Sequence, residues 1–238
     1  MCQVLKDRGY IRIVDVYSGI GVAGYALSKI LLEHEYKVKL TLIDIRKDIL
    51  LRAREWIKKE LNIKPIIHVI DAKTMHTISE EYDIALMWGS SSPHFNPWDM
   101  NKLLASISYI LNDNGLFIMQ EADRFHNIIT RGYRDIIYVE EEYENKMVLD
   151  VLTGYDPLKG TYKRRIINLK KPSEKATLDL YYWSIAGLSA LLWIFFRDID
   201  VIEIPSQVLR PKYIILAHKP RKTLSRKISR NLHMYLRN

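Results

Sequence analysis

The chain has 238 residues, 48% hydrophobic and 27% charged, with a formal net charge of +8. That is room for one sizeable α/β domain, or a core with an insertion, but not for two large independent domains. The lone Cys2 excludes an intramolecular disulfide and a cysteine-rich metal site, and no H-x-H, H-E-x-x-H or acidic cluster suggests a metal.

Residues 10–17 (YIRIVDVY) form a β-branched run that predicts a first strand. A literal G-x-G-x-x-G follows at Gly19, Gly21 and Gly24, then a helix with Ala23, Leu27, Ile30 and Leu31 on one face. KVKLTLIDI (37–45) predicts the second strand, and the stripe Ile49, Leu50, Ala53, Ile57, Leu61 a helix over 47–61. PIIHVID (65–71) and YDIALMWG (82–89) read as strands three and four, 98–111 as a helix stopped by the turn NDNG, and LFIMQE (116–121) as strand five. Ser184 is placed to cap a helix, and IDVIEI (199–204) and KYIILAH (212–218) predict two final strands. Strands alternating with helices signal parallel βαβ units.

Residues 124–182 differ. They alternate apolar and polar, broken by EN, GYDPLKG and KKPSEK, which are hairpin signals. The expected organisation is a core of 1–123 plus 183–218, an antiparallel β insertion at 124–182, and a basic tail at 219–238. Seven basic residues and no acids lie between Lys219 and Asn238, leaving the first 218 residues nearly neutral. In the tail, Leu224, Ile228, Leu232 and Tyr235 would share one helical face. No secretory signal is expected from the first residues, and the most apolar run, 185–196, is shorter than the ~20 residues a membrane span needs. A cytoplasmic protein is expected.

The glycine loop alone fits a dinucleotide site, where a helix N-terminus favours phosphate. Asp15, in the strand just ahead of it, would repel phosphates at short range, whereas a cofactor with an ammonium and a sulfonium makes the acid an asset. VDVYSGIG, with Asp15, Gly19 and Gly21, the acid Asp44 ending LTLIDI, Asp71 and Ala72 in VIDA, and YDIALMWG follow one another in order. In these motifs the sequence resembles the class I S-adenosylmethionine-dependent methyltransferases over roughly residues 10–121 and 183–218. The resemblance implies an α/β, doubly wound, mostly parallel seven-stranded sheet of the Rossmann-like methyltransferase fold, with the antiparallel β insertion added. Tyr17 replaces the motif's first glycine, and no helix is expected before strand one.

What the resemblance implies for the site is that Asp15 lies near the methionine amino group of S-adenosyl-L-methionine. Tyr17, Ser18, Gly19 and Gly21 would pack on its amino-acid part, and Asp44, with Ile45 beside it, would accept the ribose hydroxyls. Asp71 would accept from the adenine amine with Ala72 leaving room for the ring, and Trp88 and Gly89 would flank the sulfonium. In WGSSSPHFNPWD (88–99), His94 is the candidate general base, and Glu121 at the end of strand five a candidate substrate contact. His68, His76 and Asp83 are read as structural. SPHF (92–95) only half matches the amino methyltransferase motif acting on nucleic acid, and a cytosine carbon-five enzyme needs a Pro-Cys nucleophile that is absent.

A β appendage rich in tyrosines (Tyr133, Tyr138, Tyr143, Tyr155, Tyr162, Tyr181, Tyr182) resembles that of small-molecule N- and O-methyltransferases, where it roofs the pocket or pairs subunits in a homodimer. The expected reaction is methyl transfer to an N or O atom of a small-molecule acceptor. The alternatives are an RNA methyltransferase that holds nucleic acid through its basic tail, and a non-catalytic cofactor-binding partner protein.

Overall fold

The computed structural model describes residues 9–89, 91–126, 137–143, 146–205 and 212–231. The chain runs β1 (Ile11–Val16), α1 (Val22–Glu33), β2 (Val38–Asp44), α2 (Lys47–Leu61), β3 (Ile66–Val69), a 3-10 turn (Ala72–Thr77) and β4 (Tyr82–Met87). A second 3-10 turn (Ser92–His94), α3 (Pro97–Ile110) and β5 (Leu111–Ala122) follow. Next come β6 (Ile137–Tyr143), β7 (Lys146–Asp156), β8 (Thr161–Asn168) and β9 (Lys175–Leu180). The chain then closes with α4 (Ile185–Phe195), β10 (Phe196–Ile204), β11 (Lys212–Pro220) and α5 (Lys222–Asn231).

One seven-stranded sheet has the order β10-β11-β5-β4-β1-β2-β3. β11 runs antiparallel to both β5 and β10, and the β4–β5, β4–β1, β1–β2 and β2–β3 pairs are parallel. Helices cover both faces, so the central strands are apolar almost throughout; Ile13, Val14, Val16, Leu42 and Ile43 are fully buried. Leu50, Ala53 and Ile57 of α2 pack on one face, while Met100, Leu104, Leu188 and Phe195 of α3 and α4 pack on the other. The strand order reverses between β1 and β4, which opens a crevice at the carboxyl ends of these strands.

The start of β5 differs from expectation. β5 begins at Leu111, so the segment NDNG is drawn into the strand instead of ending the helix as a free turn. The Asn112 amide donates to Asp83 Oδ1, the other Asp83 oxygen accepts from the Arg12 N–H at 2.8 Å, and the β4–β5 register shifts there. Asp83 thus ties the starts of β1, β4 and β5. The tail helix docks on α3 through Ser225, which is fully buried and bonded to the Ser108 hydroxyl at 2.8 Å, with Ile228 packed on the core. Leu224 stays partly exposed, and Leu232 and Tyr235 lie outside the described residues. So do residues 1–8, on which the expectation of no preceding helix falls.

β6–β9 form a separate antiparallel sheet in chain order. Asp150 and Arg164 pair inside it at 2.5 Å with both side chains 4% exposed, and Arg164 also donates to the Tyr182 hydroxyl. Tyr155, Tyr162 and Tyr182 are in ring contact; Tyr133 is outside the described residues, as are the side chains of Tyr138 and Tyr143. No helix among the described residues is long and apolar enough to cross a membrane.

Removing one member of a buried pair strands the other charge in a poor solvent. Asp150→Ala is expected to lose about 3–5 kcal/mol in urea unfolding. The double variant Asp150→Leu/Arg164→Met should recover most of that loss.

Candidate functional site

The loop from β1 to α1 turns on three residues in the left-handed region: Tyr17 (φ 59°), Gly19 (φ 54°) and Gly21 (φ 79°). Only glycine adopts this region without strain, so Tyr17 holds its backbone against a cost of about 1–2 kcal/mol. Below the loop, Asp15 is 2% exposed and accepts the Gly24 N–H of α1 at 2.8 Å. A side chain at Gly24 would meet Leu40 at 2.9 Å and Asp15 Oδ2 at 3.0 Å, so glycine is what lets helix and carboxylate approach. Burial pushes the Asp15 carboxyl from 3.8 up to about 7, with the Gly24 N–H opposing and Asp44 adding to the rise.

Asp44 ends β2 and is the most heavily engaged side chain of the crevice. Oδ2 accepts from the Gly19 N–H and from an Arg46 terminal nitrogen, both at 2.9 Å. Oδ1 accepts from Arg46 Nε at 2.9 Å and the Arg46 N–H at 3.0 Å. Burial alone would raise this carboxyl; the Arg46 fork and the backbone donors outweigh it and hold the group below the usual carboxylate range. Ile45 beside it is exposed. Asp71 caps the 3-10 turn by accepting the Lys73 N–H at 2.9 Å, its Oδ2 lies 3.4 Å from Lys73 Nζ, and Ala72 is buried behind it.

The Tyr17 ring lies 5.5 Å from both His94 and Phe95. Burial pushes its phenol up, Asp44 and Asp71 add to this, and Arg46 opposes, so the ring stands within the field of all three groups. Past β4, Trp88 is 42% exposed, and Gly89 (φ 85°) donates its N–H to the Gln120 side chain at 3.1 Å. Burial, then Arg124 and Arg46, push the His94 imidazole below its ordinary 6.5, so it is neutral at pH 7.

Glu121 departs from expectation. It is fully buried, accepts from the Ser92 N–H at 3.2 Å and the Ala122 N–H at 2.9 Å, and lies 3.8 Å from Arg124 Nε. It anchors the loop that carries His94 from below and does not line the open crevice. His76 bonds Ser106 at 2.9 Å, which is a packing role. The sheet of β6–β9 reaches the same loop: the Tyr181 N–H donates to Pro93, Trp183 Nε1 to the Phe95 carbonyl at 2.9 Å, and Trp98 Nε1 to Leu158.

The residues present fit an adenosyl sulfonium cofactor. Carboxylates at Asp44 and Asp71 match hydroxyl and amine donors, and the buried Ser18 and Ser92 hydroxyls have no partner among the described residues. A Cβ at Gly89 would meet nothing within 4 Å, so space is open beside Trp88. Among the described residues no group of three His, Cys, Asp or Glu side chains could hold a metal. Arg46, Gln120 and Ser92 were not singled out from the sequence. For Arg46 a signal exists, since an arginine two residues after a strand-ending acid is within bidentate reach of it.

Comparison with known proteins agrees with this geometry. Residues 13–115 match a family model described as a methyltransferase domain. No curated protein sequence matches the chain. Among solved structures, an S-adenosylmethionine-dependent methyltransferase from Clostridium acetobutylicum is 14% identical, with TM-score 0.63 over 91% of this chain and 87% of that one. The CcbJ methyltransferase from Streptomyces caelestis is 12% identical, with TM-score 0.65 over 88% and 89%. CalS10, an amino pentose methyltransferase from Micromonospora echinaspora with S-adenosylmethionine bound, is 11% identical, with TM-score 0.56 over 87% and 83%. Residues 13–115 thus match a methyltransferase domain, and the chain shares the fold of these S-adenosylmethionine-dependent methyltransferases.

The Asp15 shift makes stability depend on pH. From about pH 4 to 7 the unfolded chain has lost this proton while the folded chain keeps it, so stability falls as pH rises through that window. Asp15→Asn, which retains an acceptor for Gly24, is expected to gain roughly 1–4 kcal/mol over wild type at pH 8 and nothing below pH 4, measured by urea unfolding without cofactor.

Proposed function

We propose that the enzyme transfers a methyl group to a nitrogen or oxygen of a small-molecule acceptor bound between the crevice and the β6–β9 sheet. The observation that carries this reading is the seating of that sheet on the His94 loop through Tyr181, Trp183 and Trp98. A roof in that position favours a compact acceptor over a nucleic-acid helix. One protein of similar fold is described as an amino pentose methyltransferase, which favours the same acceptor class. The RNA methyltransferase reading is weaker, because the basic tail helix docks by β10 and the end of β11, away from the carboxyl ends of β1 and β4.

S-adenosylmethionine, when bound, supplies an electrophilic methyl on a sulfonium leaving group. Asp44 and Asp71 hold its sugar and base, and Asp15 under the loop offsets the charge of its amino-acid end. Tyr17, Ser18, Gly19, Gly21, Ile45 and Ala72 shape the walls, and Trp88 and Gly89 border the reacting centre. His94 Nδ1 or Nε2, unprotonated at neutral pH, accepts the proton the acceptor heteroatom gives up. Glu121 acts through the loop as a positioning residue. Water is kept out by Phe95, Trp183 and the overlying sheet.

Because Asp44 is already saturated, the ribose hydroxyls must displace the Arg46 fork. In calorimetric titration, Asp44→Ala is expected to bind S-adenosylmethionine at least tenfold more weakly than wild type, and Arg46→Ala several-fold more tightly. No binding to wild type, or unchanged binding by Asp44→Ala, would falsify the site. His94→Asn should lower kcat by about 10²–10⁴ with little change in cofactor affinity. An unaltered kcat removes His94 as the base.

A further inference from the structure

At the opposite end of the sheet, where the parallel strands begin, basic side chains line two neighbouring cavities. One, of about 770 Å³, is bordered by Arg197 at the start of β10, Lys219 at the end of β11, Arg221 just before α5, and Lys222 and Lys227 of α5, with Asp113 the single acid. The other, of about 460 Å³, is bordered by Tyr10, Arg12 and Lys39, together with Glu81 and Asn112. They adjoin at Asn112–Asp113 and at the Lys222–Glu81 ion pair. Arg12 and Lys39 are register partners on β1 and β2, and Tyr10 is 47% exposed with Lys39 Nζ 4.8 Å from its ring centre.

Some of this charge is balanced internally, since Lys219 pairs with Asp198 and Lys222 with Glu81. Arg12, Lys39, Arg197 and Lys227 are paired with no carboxylate of the described residues, so the band keeps a positive surplus. Arg221 donates Nε to the Phe196 carbonyl, which fixes its stem and leaves two nitrogens for a ligand. The Lys219–Asp198 pair is more than half exposed at both ends, so an incoming phosphate displaces it at little cost.

We propose that this band is a binding track for a single-stranded nucleic acid, its cations meeting successive phosphates and Tyr10 stacking on a base. Two adjoining basic cavities with an exposed aromatic beside them suit a flexible polyanion that carries ring systems; a compact phosphate ester would engage one cavity only. The track does not present the strand for methylation. β1 alone puts about 20 Å between it and the glycine loop. The inference therefore stands independently of the acceptor proposed above.

The test is fluorescence anisotropy of a labelled 12-mer oligouridylate with the full chain at 50 and 200 mM NaCl, inorganic tripolyphosphate serving as competitor. Three to five phosphate contacts give a log–log salt slope of about −2 to −3.5. Arg197→Glu/Lys227→Glu should weaken binding at least tenfold. Lys58→Glu/Lys59→Glu, an equal charge change on the exposed last turn of α2, should weaken it less than threefold. Tyr10→Ala should weaken oligonucleotide binding about fivefold or more while leaving tripolyphosphate competition unchanged. Circular dichroism checks each fold, with Arg197→Gln/Lys227→Gln as the milder pair. The idea is overturned by no binding at 50 mM salt, by equal loss in both charge-reversal pairs, or by a Tyr10→Ala protein that binds like wild type, which would leave a plain polyphosphate site. Unchanged S-adenosylmethionine binding by the Arg197/Lys227 variants separates failure here from failure of the cofactor site.

Discussion

A carboxylate sealed beneath a glycine loop organises the crevice. Asp15 has almost no water, and its bond to the Gly24 N–H fixes where α1 starts relative to β1. That start sets the three left-handed residues above it, which aim the Gly19 N–H at Asp44. Burying an acid without a full set of partners is unfavourable, and the rise of its pKa to about 7 expresses that cost. A helix start placed by the acid is followed by a strand-ending carboxylate placed by the loop. The geometry of the crevice is thus relayed outward from one buried group.

Most of the architecture was legible in the sequence because it is written in local patterns. Period-two and period-3.6 apolar repeats marked the strands and helices, and the change of texture after residue 123 marked the second sheet. The acids Asp15, Asp44 and Asp71 were legible for the same reason, since each ends or interrupts an apolar run. What escaped is long-range. Ser92 meets Glu121 across 29 residues and Trp183 meets Phe95 across 88, and no window of sequence contains both partners. Glu121 looked like a rim residue from its position at a strand end, yet the loop folds down over it. Of the expected apolar face of the tail helix, Ile228 packs on the core, whereas Ser225 and not Leu224 meets α3 beside it.

The sheet has chemical polarity. At the carboxyl ends of its central strands lie the acids Asp15, Asp44 and Asp71 with the aromatics Tyr17 and Trp88; at the other end basic side chains gather. Parallel strands make this separation simple, because every βα connection opens at one end and every αβ connection at the other. Residues at the two ends can therefore change without disturbing one another. The two faces of α5 illustrate it: Lys222, Thr223, Leu224 and Lys227 border the basic cavity, while Ser225 and Ile228 attach it to the core.

Tyr17 gives the crevice one further property. Its ring touches His94 and Phe95 on one side and stands in the field of Asp44, Asp71 and Arg46 on the other. Where a glycine would leave the two halves of the cleft separate, this ring is a mechanical link between them. A displacement of the phenol at one half of the cleft would therefore be transmitted to the imidazole at the other.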